Sequence, residues 1–274
     1  MKIDSHHHFW KYHPVKDAWI SEDMNILQRD FLPADFLPII QNSGIDGVVM
    51  VQADQSEAET NFLLECARSN DVFKGVVGWI DIASDQLENK LEKYQSELLL
   101  KGFRHIVQAE PPGFLASKKF VNGVKCLAKR GYTYDLLINE KQLEEAYTFL
   151  KEVSETAVVI DHISKPDIKS QSKSNWEYYM RKIAELPHVY VKLSGMVTEA
   201  DWSNWKTEDL RPYVDKCLEW FGPDRLMFGS DWPVCLLAGE YDEVKNALED
   251  CLKELTSEEV NKIMGGTAIQ FYQL

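Results

Sequence analysis

The chain has few cysteines, and none of them form a C-x-x-C pair. Its five cysteines are odd in number and widely spaced: Cys66, Cys126, Cys217, Cys235 and Cys251. This pattern excludes a disulfide framework and a thiolate zinc site, and it favours free thiols in a reducing compartment. The first residues, MKIDSHHHFW, also lack the apolar stretch of a secretory signal peptide. The sequence therefore predicts a cytoplasmic protein.

Long apolar runs and basic clusters are absent as well. No apolar run approaches the roughly 20 residues that a helix needs to cross a bilayer. The 274 residues include 44 acidic and 30 basic side chains, for a formal net charge of −14. An acidic surface repels phosphate backbones and anionic lipid headgroups. We therefore expect neither a nucleic-acid partner nor a membrane partner, but a small-molecule substrate.

Nothing in the sequence divides the chain or marks a nucleotide site. There is no Pro- or Ser-rich linker, no internal repeat and no low-complexity segment. Neither a G-x-G-x-x-G nor a Walker A motif follows any predicted strand. The sequence therefore predicts one domain over residues 1–274.

What is present is a regular alternation of strand and helix patterns. Several of the predicted strands are near-continuous Val/Ile/Leu runs, which are typical of strands covered on both faces. The eight predicted strands span residues 1–6, 47–52, 75–81, 102–108, 132–138, 157–162, 189–195 and 225–231. Amphipathic segments such as Glu57–Asn70 and Lys141–Glu152 lie between them. Eight such units in a chain of this length predict an α/β fold, a single (β/α)₈ TIM barrel, over an open doubly wound sheet.

In a barrel of this kind the chemistry lies at the carboxyl ends of the strands. The first strand ends in His6-His7-His8. Because side chains alternate along a strand, His6 and His8 share one face and His7 points to the other. Two imidazoles on one face at a barrel mouth can bind one metal ion.

Two other strands end in residues of matching chemistry. Strand six ends in Asp161-His162, and strand eight ends in GSD, with Asp231 last. His162 could alternatively be a core histidine, and Asp231 could alternatively cap the next helix. Together His6, His8, His162 and Asp231 offer nitrogen and oxygen ligands that suit one Zn²⁺ or Mn²⁺ ion. Such an ion would polarise a carbonyl and activate water, with Asp231 as general base.

Strands four and seven carry charged residues toward their ends. Arg104 and His105 are adjacent, so only one of them faces the site while the strand is regular. An arginine at the mouth would bind a carboxylate or polarise a carbonyl, and otherwise it would form a salt bridge to a neighbouring loop. On strand seven, Lys192 and Ser194 are predicted to face the interior, where a buried lysine needs an acidic partner.

These motifs together resemble the amidohydrolase superfamily, in the amidohydrolase-2 branch that contains lactonases of sugar acids and of a pyrone dicarboxylate. The matching stretches run from end to end of the chain: IDSHHHFW, GFRHIVQAEP, VVIDHISKP, VKLSGM and LMFGSDWPV. H-x-H alone is weak, but H-x-H followed in this order by DHISKP and GSDWP is specific.

The resemblance implies a (β/α)₈ barrel that hydrolyses a lactone to a hydroxy acid, with a sugar lactone as the leading substrate class and Asp231 activating water. It places His6, His8, His162 and Asp231 at the family's metal or catalytic positions. It makes Arg104 or His105 the candidate catalytic group that polarises the carbonyl, and Gln108 a candidate substrate contact.

The sequence limits the number of metal ions and allows two interpretations of the aromatic residues. Strand five, YTYDLLI, lacks the histidine of binuclear relatives, so at most one metal ion is expected, and some relatives act with little or no metal. Trp10 and Trp232 are candidates for aromatic walls that stack on a sugar ring, or for core residues. The alternatives to a lactonase are a metal-dependent decarboxylase of an unsaturated or aromatic acid and a non-catalytic binding protein.

Overall fold

The computed structural model describes residues 1–172 and 174–274, and it confirms the predicted barrel. Eight parallel strands pair in chain order. They are β1 (Ile3–His7), β2 (Gly47–Val51), β3 (Phe73–Gly78), β4 (Leu100–His105), β5 (Thr133–Leu136), β6 (Val158–Ile160), β7 (Val189–Leu193) and β8 (Leu226–Phe228). β8 returns to β1, where His7 forms a parallel bridge with Trp232 and the Ser5 hydroxyl donates to the Phe228 carbonyl over 2.6 Å.

Helices follow the strands and form the outer layer of the barrel. They are α1 (Pro33–Ser43), α2 (Glu57–Ala67), α3 (Leu87–Glu92), α4 (Lys118–Lys129), α5 (Leu143–Glu152), α6 (Ser174–Ala184), α7 (Thr207–Phe221), α8 (Tyr241–Cys251), α9 (Ser257–Asn261) and α10 (Thr267–Tyr272). Across the described residues, no helix combines the length and the apolar character needed to cross a membrane. All five cysteines are free.

Two apolar clusters follow from the alternation of side chains along the strands. The larger cluster lies between the strands and the outer helices. A smaller one joins strand residues such as Val49, Val77 and Met227 to Phe271 and Tyr272 of α10. Because Lys101, near the start of β4, donates to the carbonyl of Gln273 over 2.9 Å, α10 closes the amino-terminal end of the barrel. The carboxyl ends of the strands are left for the site.

A layer of buried charges lies inside the barrel, further toward the carboxyl ends of the strands. The Lys192 ammonium lies 2.5 Å from Asp135 Oδ2 and 3.1 Å from Asp161 Oδ1, and all three side chains are fully buried. The interior acidic partner expected for Lys192 is therefore present twice. Burial raises the pKa of Asp135 to about 6, although Lys192 opposes that shift. Burial also disfavours the Asp161 charge, yet Lys192, His6 and Arg104 together hold the Asp161 pKa well below its usual value.

Asp4 joins the first and last strands next to the barrel mouth. Its Oδ1 accepts hydrogen bonds from the backbone N–H of Ser230 at 2.9 Å and of His6 at 3.1 Å. Its Oδ2 accepts the Tyr241 hydroxyl at 3.1 Å. One buried carboxylate thereby fixes the backbone that carries His6 beside the backbone that carries Asp231.

The hydroxyl of Tyr272 tests how far α10 supports the charged layer. It donates to Asp135 Oδ2 over 2.8 Å. We expect Tyr272→Phe to lower the free energy of unfolding by about 1.5–3 kcal/mol, because a buried charged acceptor loses its donor. Urea unfolding followed by circular dichroism measures this change. Tyr190→Phe is the matched control, since Tyr190 packs against Phe271 at the same end of the barrel. Equal losses in the two variants would contradict a specific role for the Tyr272 hydroxyl.

Candidate active site

The histidine triplet of β1 divides between two environments. His6 Nε2 and His8 Nε2 lie 3.1 Å apart, and both side chains are buried. His7 points to the opposite side, where its ring stacks on Phe36 with centroids 4.5 Å apart. The structure therefore brings His6 and His8 together and places His7 in the aromatic packing beneath α1.

His162 reaches the same place through an unusual backbone. β6 ends at Ile160, and the next turn runs through positive φ values of 53°, 46°, 64° and 47° at residues 162–165. Left-handed backbone costs roughly 1–2 kcal/mol for each residue that is not glycine, and such strain clusters at functional sites. His162 Nδ1 lies 2.9 Å from the Ser194 hydroxyl. A side chain at the neighbouring Gly195 would place its Cβ only 2.5 Å from that nitrogen, so glycine is required there.

Asp231 completes the cluster from the end of β8. Its φ is 58°, and its backbone N–H donates to the His6 carbonyl over 2.8 Å. Its Oδ1 lies 3.4 Å from His8 Nε2, 3.8 Å from His6 Nε2 and 3.9 Å from His162 Nε2. Residues from the ends of three strands, which are far apart in the chain, thus converge on one carboxylate oxygen.

Burial sets the charge states of this cluster. It lowers the pKa of His8, and of His162 to about 4. It lowers the pKa of His6 as well, with a further contribution from the Lys192 charge. For Asp231 burial works in the opposite direction, but the three histidines outweigh it and hold the carboxyl pKa below its usual value. The site therefore combines an ionised carboxylate with neutral imidazoles at neutral pH.

The donor set fits one divalent metal ion. Ligand atoms about 2.0–2.2 Å from one tetrahedral ion lie roughly 3.3–3.6 Å apart. His6, His8 and Asp231 offer buried ligand atoms separated by 3.1–3.8 Å. His8 Nδ1 lies 2.7 Å from the Val51 carbonyl oxygen, which can only accept, so Nδ1 carries the proton and Nε2 presents its lone pair. His6, Asp161 and His162 form a second, overlapping group of the same kind.

Arg104 and His105 lie on opposite faces of β4. The Arg104 guanidinium is buried, with Nη1 3.1 Å from Asp161 Oδ2 and 3.5 Å from His6 Nε2. His105 lies outside the cluster, where its Nε2 is 2.8 Å from Glu110 Oε1 and its ring stacks on Phe114. Of the two residues, Arg104 is the one that the structure brings to the site.

Of the three predicted substrate contacts, one lies in a turn after β4 and two are buried in the core. Gln108 lies in a short turn after β4, where its backbone N–H donates to the Leu137 carbonyl over 3.0 Å. Trp10 and Trp232 are each only 1% exposed. Trp10 donates its Nε1–H to the Arg29 carbonyl, and Trp232 stacks on Phe36. Core packing is therefore the interpretation of the two tryptophans that agrees with the structure.

The sequence analysis did not single out Asp161, although it is the central buried partner of the site. Its Oδ1 lies 3.3 Å from His6 Nδ1 and 3.1 Å from the Lys192 ammonium. Its Oδ2 accepts from Arg104. A signal was present, because the predicted interior Lys192 required a buried acid on a neighbouring strand.

Known proteins resemble this chain along its whole length. A family model described as amidohydrolase matches residues 3–274. The chain belongs to the amidohydrolase family. It is 39% identical to an L-fucono-1,5-lactonase from Burkholderia multivorans over an alignment that covers 100% of this chain and 96% of that protein. The resemblance drawn from the motifs is therefore confirmed.

Solved structures extend the comparison. An amidohydrolase from Burkholderia multivorans, crystallised with bound zinc, superposes with a TM-score of 0.97 at 38% identity, covering 100% of this chain and 99% of that one. A dihydroxybenzoic acid decarboxylase from Polaromonas sp. JS666, solved with manganese, superposes with a TM-score of 0.67 at 13% identity, covering 100% and 97% of the two chains. At 13% identity, this superposition shows a shared fold and carries no information about activity.

The division of the histidine triplet can be tested by metal binding. We expect His8→Ala to weaken zinc affinity about 100-fold or more, because the ion would lose one of its ligand nitrogens. Titration calorimetry on metal-free protein measures that affinity without any substrate. His7→Phe is the matched control, since it keeps an aromatic ring against Phe36. Equal losses in the two variants would show that the face assignment is wrong.

Proposed function

We propose that this amidohydrolase opens a sugar lactone to the corresponding hydroxy acid by means of activated water. The observation that carries the proposal is the Asp231 carboxylate held among three neutral histidines at the barrel mouth. The full-length identity of 39% to a sugar lactonase supports the substrate class.

Asp231 is the proton carrier of the proposed reaction. It is buried and ionised, so it can accept a proton from a water molecule as the water oxygen bonds to the lactone carbonyl carbon. When the bond from that carbon to the ring oxygen breaks, the protonated Asp231 returns the proton to the departing alkoxide. One water is consumed, and the ring oxygen becomes the hydroxyl of the product.

A divalent ion, zinc or manganese, would be held by His6, His8 and Asp231, with His162 beside them. When bound, it supplies Lewis-acid polarisation of the carbonyl and lowers the pKa of water. Zinc in the relative at 38% identity supports this ligand set. Whether turnover requires the ion is part of the experiment below.

Arg104 acts through its neighbours in this proposal. Arg104 is 3% exposed, and its guanidinium donates hydrogen bonds to Asp161 and to the Gln52 carbonyl. It therefore positions Asp161 and His6, and it is not the group that polarises the substrate carbonyl.

The geometry of β5 disfavours the decarboxylase alternative. The interior residue of that strand is Asp135, and its Oδ2 is used by Lys192 and by the Tyr272 hydroxyl. The resemblance to the superfamily implies that decarboxylases of this kind use an additional histidine as a metal ligand on the fifth strand, and β5 offers no imidazole there. A non-catalytic binding protein is disfavoured because all four residues of the cluster are present and converge.

Asp231→Asn tests the proposal. We expect wild-type protein to acidify a pH-indicator assay with an aldonolactone, and we expect the variant to lose about 100-fold or more of that rate, since general-base catalysis contributes about 10²–10⁴. The isosteric amide keeps the volume, so far-UV circular dichroism should be unchanged. The panel is run with and without a chelator, which tests the metal requirement. Full activity in Asp231→Asn would overturn the general-base assignment, and a wild-type protein that opens no lactone would overturn the function.

A further inference from the structure

The left-handed turn after β6 places a lysine over the site. Its backbone closes with a hydrogen bond of 2.7 Å from the Lys165 N–H to the His162 carbonyl. In a turn with three residues per repeat, side chains at i and i+3 eclipse one another. Lys165 is therefore presented on the same side as His162, with its side chain 26% exposed at the barrel mouth.

Glu199 meets Lys165 from the adjacent strand. It ends the short turn Val197–Glu199 after β7, the strand whose following residue, Ser194, contacts His162. Its Oε1 lies 3.7 Å from the Lys165 ammonium. Burial raises the pKa of Glu199, and the nearby charge of Asp231 adds to that increase. The pair thus lies beside the turn that carries His162 and remains partly open to solvent.

The chemistry of the pair selects a class of ligand. An ammonium offers three donors and a carboxylate offers only acceptors. At 3.7 Å the two groups are further apart than a direct hydrogen bond of about 2.7–3.2 Å, so a hydroxyl can accept from one and donate to the other.

We propose that Lys165 and Glu199 form a specificity pair that binds the hydroxyl groups of a polyhydroxylated lactone. This inference rests on the proposed lactonase function and names the substrate class of the same site.

A second ion pair provides the matched control. Lys169 and Asp201 join the same two segments at 4.0 Å, and their side chains are 68% and 44% exposed. The Lys169 backbone N–H donates to the Glu199 carbonyl over 3.0 Å, and replacing the Lys169 side chain keeps that bond while it removes the same charge from the same loop.

The experiment compares Lys165→Met with Lys169→Met on two substrates. L-fucono-1,5-lactone carries ring hydroxyls, and δ-valerolactone has the same ring size without them. We expect Lys165→Met to lower the ratio of kcat/KM for the sugar lactone to kcat/KM for δ-valerolactone about tenfold or more, since hydrogen bonds to charged groups are lost. The change should lie mainly in KM for the sugar lactone. Lys169→Met should keep the wild-type ratio.

Two results would overturn the inference. They are an unchanged ratio in Lys165→Met, whether both lactones keep their rates or both fall by the same factor, and the same change of ratio in Lys169→Met. If the wild-type protein opens the sugar lactone, the proposed function is supported even when this inference fails. A wild-type protein that opens neither lactone overturns the proposed function and this inference with it.

Discussion

The geometry of the site depends on the contacts of the buried Asp161 carboxylate. This carboxylate is fully shielded from water and is held by Lys192, Arg104 and His6. A charge in that position is stable only with several close partners, and removal of one partner of a buried pair typically costs about 3–5 kcal/mol. Because one of the partners is His6, the charged interior of the barrel fixes an imidazole of the mouth. The same contacts that stabilise the interior therefore orient the site.

Around Asp161, locally strained backbone brings the site residues together. Four consecutive residues after β6 adopt left-handed backbone, and Asp231 does the same after β8. These conformations persist because their surroundings over-determine them. Asp4 fixes the first and last strands together, Gly195 leaves room for the His162 ring, and the Trp176 indole donates to the Ile163 carbonyl within the strained turn. The result is a barrel mouth in which three imidazoles and a carboxylate meet.

The parts of this structure that follow from periodic patterns could be predicted from the sequence. Buried strands alternating with amphipathic helices determine the barrel, and period-two alternation separates His6 and His8 from His7. The requirement that a buried Lys192 have an acidic partner was also sufficient to foresee the charged interior. These inferences need only local geometry and the cost of burying a charge.

What could not be predicted depends on contacts between distant segments or on uncommon backbone. The choice between Arg104 and His105 needed the register of β4 against β5. Strand patterns extend β6 as far as His162, but the strand ends at Ile160 and a left-handed turn of non-glycine residues follows. Trp10 and Trp232 have the composition of a sugar-binding wall, and only tertiary packing shows them to be buried.

The turnover of Asp161→Asn relative to that of Asp135→Asn tests whether the charged interior of the barrel orients the site. Both substitutions remove one buried charge beside Lys192, but only Asp161 contacts His6. If the interior network orients the site through His6, folded Asp161→Asn should lose about 10- to 100-fold more lactone turnover than folded Asp135→Asn, as is typical when a group that orients a site histidine is removed. Equal turnover in the two folded variants would show that the interior network does not orient the site through His6.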